Sequence, residues 1–358
     1  MTTTTQDVVL TAESMRRLVL EAPSQTGEMA DAKLKVETVP MPKPKSGEVL
    51  IKVAAAPINP SVFGAWKKSN SKPGPQGNEG SGVIVASGGG FFNTFKVGQK
   101  VGFVNSSSKQ GSYSEYVTAN VTTAVFSLPQ ELPVESGASF FVNPYTAVGM
   151  LDTAVSGGHT GFVHTGAASQ LGQMLVKLCA QPSHRMTIIN VVRRQEQAEL
   201  LRKIGAVHVI VTSEDDWVDK LGALVKELKI SLAFDCVAGE TTCKIVSQMP
   251  PKSTTYVYGA LSGWTVDGIS ATDMIYHGKQ VKGWLLTRWL KRGNTLQLYL
   301  RVRAASKLVN SGLGPGGWAE SRFLDTTLDT AWADFLKQSQ AGTFTDAKLR
   351  IRLSPGDA

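Results

Sequence analysis

"HTGAASQLGQM", residues 164–174, follows the apolar run "TGFVHT" and leads into the helical spacing of "SQLGQMLVKLCA". Its glycines are Gly166 and Gly172, with Ala167, Ala168, Ser169, Gln170 and Leu171 between them. A turn that cradles phosphate needs small residues here, because amides at a helix start must approach the anion closely. The strict G-x-G-x-x-G is absent. By its residues alone the stretch reads equally as a pyrophosphate turn or as the small-residue start of a buried helix.

The flanking sequence supplies the fold. From 160 onward, apolar strand-like runs ("TGFVHT", "MTIINVV", "HVIVT", "SLAFDCV", "STTYVYGAL", "QVKGWLLT") alternate with helical ones ("SQLGQMLVKLCA", "RQEQAELLRKIG", "DDWVDKLGALVKELK", "ETTCKIVSQM"). Strands apolar on both faces and separated by helices predict a doubly wound parallel sheet, an α/β fold. Residues 16–125 instead read as short strands punctuated by Gly, Pro and Ser, an all-β unit. "LPVESGASFFVNPYTAVGMLDTA" (132–154) has helical spacing, and the chain closes with two helices and a basic strand, "DAKLRIRL". We expect 1–140 and 300–358 to form one domain, interrupted by a nucleotide-binding domain over 141–299.

The 358 residues are enough for two cores. Hydrophobic residues at 42% and charged ones at 18% mark an ordinary globular composition. No apolar run reaches the roughly 18 residues of a membrane span. The first 23 residues show no secretory or transit pattern and read as a loose tail before a strand, which favours a cytoplasmic protein and leaves a mitochondrial one open. Cys179, Cys236 and Cys243 are too few and too irregularly spaced for a disulfide or zinc framework. The net charge of +8 is spread in short clusters without an aromatic platform, so a nucleic-acid partner is not expected.

The end of the second strand carries more information. "NVVRRQEQ" places Arg193 and Arg194 there, with no acid before Glu196. An acid at this place binds ribose hydroxyls, whereas a guanidinium suits the extra 2′-phosphate of NADP. Positive charge also opposes the dipole of the helix that follows, so a purely structural reason is weak. The pattern favours NADPH over NADH.

"FFVNPYTAVGML", "GFVHTGAASQLGQMLVKLC", "VVRRQEQAELLRKIGAVHVI", "LAFDCVAGE", "YVYGALSG" and "GWLLTRWL" resemble, in order and spacing, the medium-chain dehydrogenase/reductase superfamily. Within it they are similar to the zinc-free NADPH:quinone oxidoreductase and enoyl-thioester reductase branch. The resemblance implies a GroES-like β domain plus a Rossmann domain, and a homodimer. It places Asn59, Asn143 and Thr146 beside the nicotinamide and its ribose, Asn59 equally readable as a turn residue before Pro60. It also places Tyr258, Gly259 and Ala260 where the dinucleotide crosses the sheet edge, and Trp284 and Leu285 at the nicotinamide end. Lys348 and Arg350 are further phosphate candidates or solvated charges.

"GNEGSGVI" (77–84) resembles the segment of zinc alcohol dehydrogenases that reads G-H-E-G, but Asn78 stands where the metal-ligating histidine would be. No His or Cys precedes His159, so the β domain cannot assemble a zinc site. Enoyl-thioester reductases carry a tyrosine as proton donor further along, where "FGAWKKSNSKPGPQG" has none. Trp66 is the one large aromatic with a polar tip there, and with Asn59 it is our catalytic candidate. The implied chemistry is hydride transfer to a quinone or other α,β-unsaturated carbonyl. The alternatives are a trans-2-enoyl-thioester reductase and a weakly catalytic NADPH-binding structural or RNA-binding protein.

Overall fold

Alternating apolar residues bounded by turn formers make the first part of the chain a set of antiparallel strands. In the computed structural model, which describes residues 12–67, 71–91, 93–104, 110–341 and 347–353, these are β1 (Ser14–Ala22), β2 (Lys33–Pro40), β3 (Glu48–Pro57), β4 (Gly74–Pro75), β5 (Glu79–Ser87), β6 (Lys100–Val104), β7 (Tyr116–Asn120) and β8 (Val125–Ser127), with helix α1 (Pro60–Lys67) after β3. The expected tail over residues 1–11 and part of the loop after Trp66 lie outside the described residues.

The second part alternates as its periodicity predicts: α2 (Val142–Ser156), β9 (Gly161–Thr165), α3 (Gln170–Cys179), β10 (Thr187–Val192), α4 (Gln195–Lys203), β11 (His208–Val211), α5 (Trp217–Glu227), β12 (Leu232–Asp235), α6 (Gly239–Gln248) and β13 (Thr254–Val257). After α7 (Ala271–Ile275) and β14 (Gln280–Gly283) come α8 (Leu286–Leu290) and the long α9 (Thr295–Gly312), then β15 (Phe323–Thr327), α10 (Ala331–Ala341) and β16 (Lys348–Arg352).

The chain divides into two compact units, 1–142 with 310–358, and 143–309. In the first, a seven-stranded sheet runs β15-β16-β3-β5-β6-β8, with β7 paired to β3, beside a small sheet β2-β1-β4. One of its cores gathers Leu18, Leu20, Ile58, Trp66, Tyr113, Phe335, Leu349 and Ile351. At about 1.5–3 kcal/mol per large apolar side chain removed from water, such a cluster ties the chain's last strand to its first.

The second unit is a six-stranded sheet, all parallel, in the order β11-β10-β9-β12-β13-β14. Counted along the chain this is 3-2-1-4-5-6, the order that leaves a crevice at the C-terminal ends of the central strands. Val163, Ile189, Ile210 and Ala233 pack on α5 and α6 through Leu221, Val225, Ile245 and Met249.

Two expected elements differ. The helix predicted over 132–154 is a 3-10 turn, Val134–Ser139, followed by a separate α2. The break falls at buried Phe140 and Phe141, where the N–H groups of Phe141 and Val142 turn to the Glu79 side chain. The strand expected through "QVKGWLLT" stops at Gly283, because Trp284 and Trp289 fold back onto Gly149 of α2, where a Cβ would stand 2.8 Å from the Trp284 ring.

Candidate functional site

In the second unit the expected cofactor residues fall directly after strand ends along one edge of the sheet: Gly166 after β9, Arg193 and Arg194 after β10, Tyr258–Ala260 after β13, and Trp284 and Leu285 after β14. Gly166 has φ +60, a conformation that costs most other residues about 1–2 kcal/mol. Ala167 and Ala168 are buried beneath the turn. Ser169 caps α3, its Oγ accepting from Gly172 N at 3.2 Å. That bond uses the hydroxyl as acceptor and leaves its hydrogen to donate. A Cβ on Gly172 would lie 2.1 Å from the Ala167 carbonyl oxygen, so this glycine sets the close approach of α3. Gln170 and Leu171 are buried at the start of α3.

At the end of β10 the amides of Arg193 and Arg194 both donate to Gln197 Oε1, at 3.0 and 3.1 Å. This fixes the backbone while the Arg193 side chain stands exposed and that of Arg194 half-exposed. The two arginines therefore follow the strand beside the one that carries the turn.

Behind the turn lies a buried polar cluster that sequence reading did not find. Asp235, fully buried at the end of β12, accepts from Thr165 Oγ1 (2.5 Å), Val237 N (3.0 Å), Ala238 N (3.1 Å) and the Thr242 hydroxyl. These bonds organise the loop after β12, where Ala238 adopts φ +65 and ψ −162. Tyr258 is half-buried, its hydroxyl 2.8 Å from His164 Nε2 and the two rings stacked. Burial pushes the His164 pKa down to about 3, so the imidazole is neutral. Gly259 lies against Cys236, where a Cβ would come within 2.9 Å of its carbonyl oxygen, and Ala260 is half-buried beside it.

Asn143 is half-buried and Thr146 buried in the first turns of α2. Trp284, expected at the nicotinamide end, is buried against α2 with its indole N–H donated to Thr153 Oγ1 at 3.2 Å. Its ring is thus a packing element. Leu285 is 52% exposed.

In the first unit both catalytic candidates are buried and hydrogen-bonded. Trp66 is buried in the core, edge-on to Trp332 and Phe335, and its indole N–H donates to Gln76 Oε1 at 2.7 Å. It is a packing residue with its donor used. Asn59 is also buried, its amide divided between two charges: Nδ2 donates to Glu79 Oε1 at 2.8 Å, and Oδ1 accepts from Lys348 Nζ at 2.7 Å. Lys348 is therefore neither solvated nor turned to phosphate. Burial lowers its pKa to about 8, and burial raises that of Glu79, the opposite charge working against both shifts. Arg350 forks onto Asp325 at 2.6 and 2.9 Å and donates to the Glu135 carbonyl, a closed set of contacts.

A family model described as "Alcohol dehydrogenase GroES-like domain" matches residues 45–130, and one described as "Zinc-binding dehydrogenase" matches 171–301. The mitochondrial enoyl-[acyl-carrier-protein] reductase of Xenopus tropicalis is 30% identical over 279 residues, 72% of this chain and 74% of that protein. The chain belongs to the medium-chain dehydrogenase/reductase superfamily, in its zinc-free quinone and enoyl reductase branch. The corresponding Arabidopsis thaliana enzyme is 28% identical, covering 79% of this chain and 74% of its own. Among solved structures, a candidate NADPH:quinone reductase of Mesorhizobium loti superposes with a TM-score of 0.81 at 28% identity, over 95% of this chain and 99% of that one. Escherichia coli quinone oxidoreductase complexed with NADPH shares the fold, with a TM-score of 0.77 at 18% identity over 94% and 99%.

The dehydrogenase/reductase superfamily includes zinc enzymes, but the residues here do not fit that metal. Asn78 stands at the histidine position, its amide donating to Ser61 Oγ at 3.0 Å. Among the described residues no three His, Cys, Asp or Glu side chains converge on one point. The turn at Gly166, by contrast, fits a dinucleotide: a positive-φ glycine, a serine-capped helix start and a neighbouring pair of arginines.

Proposed function

We propose that this chain is an NADPH-dependent, zinc-free reductase that delivers hydride directly to a quinone or other α,β-unsaturated carbonyl. The observation that carries this reading is the Arg193–Arg194 pair after β10, beside the Gly166–Ser169 turn and without an acid in the ribose position. When bound, the reduced nicotinamide supplies the hydride. The chain supplies the hold: amides of Gln170 and Leu171 with the Ser169 hydroxyl for the pyrophosphate, and the arginines for the 2′-phosphate. Asn143 and Thr146 hold the ribose and nicotinamide, and Gly259 lets the dinucleotide pass the sheet edge. The acceptor oxyanion takes its proton from solvent, since Trp66 offers none.

A second reading, a trans-2-enoyl-thioester reductase, is favoured by one further observation. Between Asp273 and Glu320 the sequence has eight Lys or Arg and no acid, which equals the whole net charge of +8. Lys282, Arg288, Lys291, Arg292, Arg303 and Lys307 of that stretch are exposed, a surface suited to a polyanionic thioester carrier. NADPH oxidation followed with a quinone panel and with a crotonyl thioester separates the two. Turnover of quinones or enones supports the first reading; turnover of the thioester alone replaces it with the second. NADPH binding without any turnover would leave a structural role.

The assembly we propose is a homodimer. Strand β14 pairs only with β13 among the described residues, and Met274, Ile275 and Tyr276 just before it are exposed. An unpaired strand edge beside exposed apolar side chains favours a second copy, and sedimentation equilibrium checks it. Three free cysteines suit a reducing compartment, for which we propose the cytoplasm.

A further inference from the structure

Glu79 is a fully buried carboxylate on β5, and each of its hydrogen-bond partners is a donor: Asn59 Nδ2 on Oε1, and the backbone N–H groups of Phe141 and Val142, both at 2.9 Å, on Oε2. A protonated acid would waste one oxygen on a donor facing donors, so this set is built for the ionised form. Phe141 and Val142 open α2, and N–H groups at a helix start have no partner within the helix. A carboxylate there satisfies two of them and interacts favourably with the helix dipole. A buried charge needs compensation. Lys348 provides it through Asn59, whose Oδ1 takes the ammonium while its Nδ2 faces the carboxylate. Lys348 Nζ also lies 3.5 Å from Ser139 Oγ, one turn before the helix start. Other charged side chains of β15 and β16 are engaged elsewhere, Arg350 and Arg352 with Asp325 and Glu135.

We propose that Glu79 and Lys348 are positioning residues that fix the first turn of α2, and with it Asn143 and Thr146, by holding a charged cap on Phe141 and Val142. This rests on the reading that those two residues hold the ribose and nicotinamide. The nucleotide's phosphates are held elsewhere, at Gly166–Leu171 and the arginine pair. Loss of the cap therefore moves the ring more than it weakens binding, and a displacement near 1 Å costs up to about 100-fold in rate.

The test uses the full-length protein with Glu79→Gln, Lys348→Met, the double variant E79Q/K348M, and Lys348→Arg. The double variant buries no charge, so it reports even if the single variants do not fold. Three readings are taken: amide exchange at Phe141 and Val142, NADPH affinity with the fluorescence of the bound reduced ring, and kcat with the accepted substrate. The expected results for E79Q/K348M are faster exchange at both amides, altered ring fluorescence, NADPH affinity within about 3-fold, and kcat lower by about 10- to 100-fold. Its loss should be no greater than that of either folded single variant, because each single change ends in a neutral cap, and Lys348→Arg should recover most of kcat. Unchanged exchange and fluorescence overturn the proposal, as does a fall in NADPH affinity as large as the fall in kcat. If the wild-type protein reduces no acceptor, the functional reading fails by itself, while exchange and ring fluorescence still decide the cap.

Discussion

The Sγ of Cys236 fills the space that a Cβ on Gly166 would need, 2.5 Å from where that atom would stand. With φ at +60, Gly166 is constrained twice, by its own backbone and by the end of a neighbouring strand. Gly166→Ala should destabilise the protein by about 1–3 kcal/mol, left-handed strain plus the displaced sulfur. It should also weaken NADPH binding by at least about 10-fold, since the turn's amides move with it. Cys236→Ala should restore part of both losses. A denaturation double-mutant cycle showing additive effects would refute the coupling.

Arg193→Ala with Arg194→Ala should weaken NADPH by about 10- to 100-fold, the range of lost charge-assisted bonds, and leave NADH nearly unchanged. Neither residue supports a helix by side-chain bonding that the change would break; the Gln197 contacts use their backbone amides. Fluorescence titration of both nucleotides reads the preference, and equal weakening of the two would reject the phosphate assignment.

These two sites lie where sequence is most legible. Strands buried on both faces write near-continuous apolar runs, so the succession of β9 to β13 and the strand ends at Thr165 and Val192 follow from local pattern, while the residues 166–172 by themselves fit either a phosphate turn or a plain helix start. Polar partners distant in sequence leave no such pattern. The Lys348–Asn59 bond spans 289 positions, and nothing near either residue announces the other. Lys348 in "AKLRIR" looks solvated because its neighbours are. Trp66 is a candidate in the sequence as the one large aromatic with a polar tip in its stretch, and nothing there announces that Gln76 takes its indole N–H. Strand β15, with the pattern "FLDTT", is hidden for a similar reason: it is an edge strand whose one buried position is the polar Thr326 while Leu324 is exposed, so it writes no apolar alternation.

Ala238, at φ +65 and ψ −162, occupies a region that is nearly exclusive to glycine. It is held there by the Asp235 carboxylate, which accepts the Ala238 amide, and by burial of its methyl group. Ala238→Gly should raise stability by about 1 kcal/mol, the relieved strain less the added freedom of the unfolded chain. Urea midpoints at constant slope measure it; a lower midpoint would show that the lost methyl contacts outweigh the strain.

His164 should dominate one part of the acid response. Its folded pKa is about 3, against 6.5 for the free side chain, because it is fully buried between β10 and β12. Between those values the unfolded chain binds a proton that the folded chain does not. Stability is therefore complete above pH 6.5 and falls as the pH drops toward 3, by up to about 1.4 kcal/mol per unit. His164→Gln keeps an acceptor for the Tyr258 hydroxyl and removes the titration. It should cost stability at pH 7, yet the gap to wild type should narrow by about 2–3 kcal/mol at pH 4.5. Chemical denaturation of both proteins at the two pH values measures this difference, and an unchanged gap would mean that the buried imidazole is not what acid attacks.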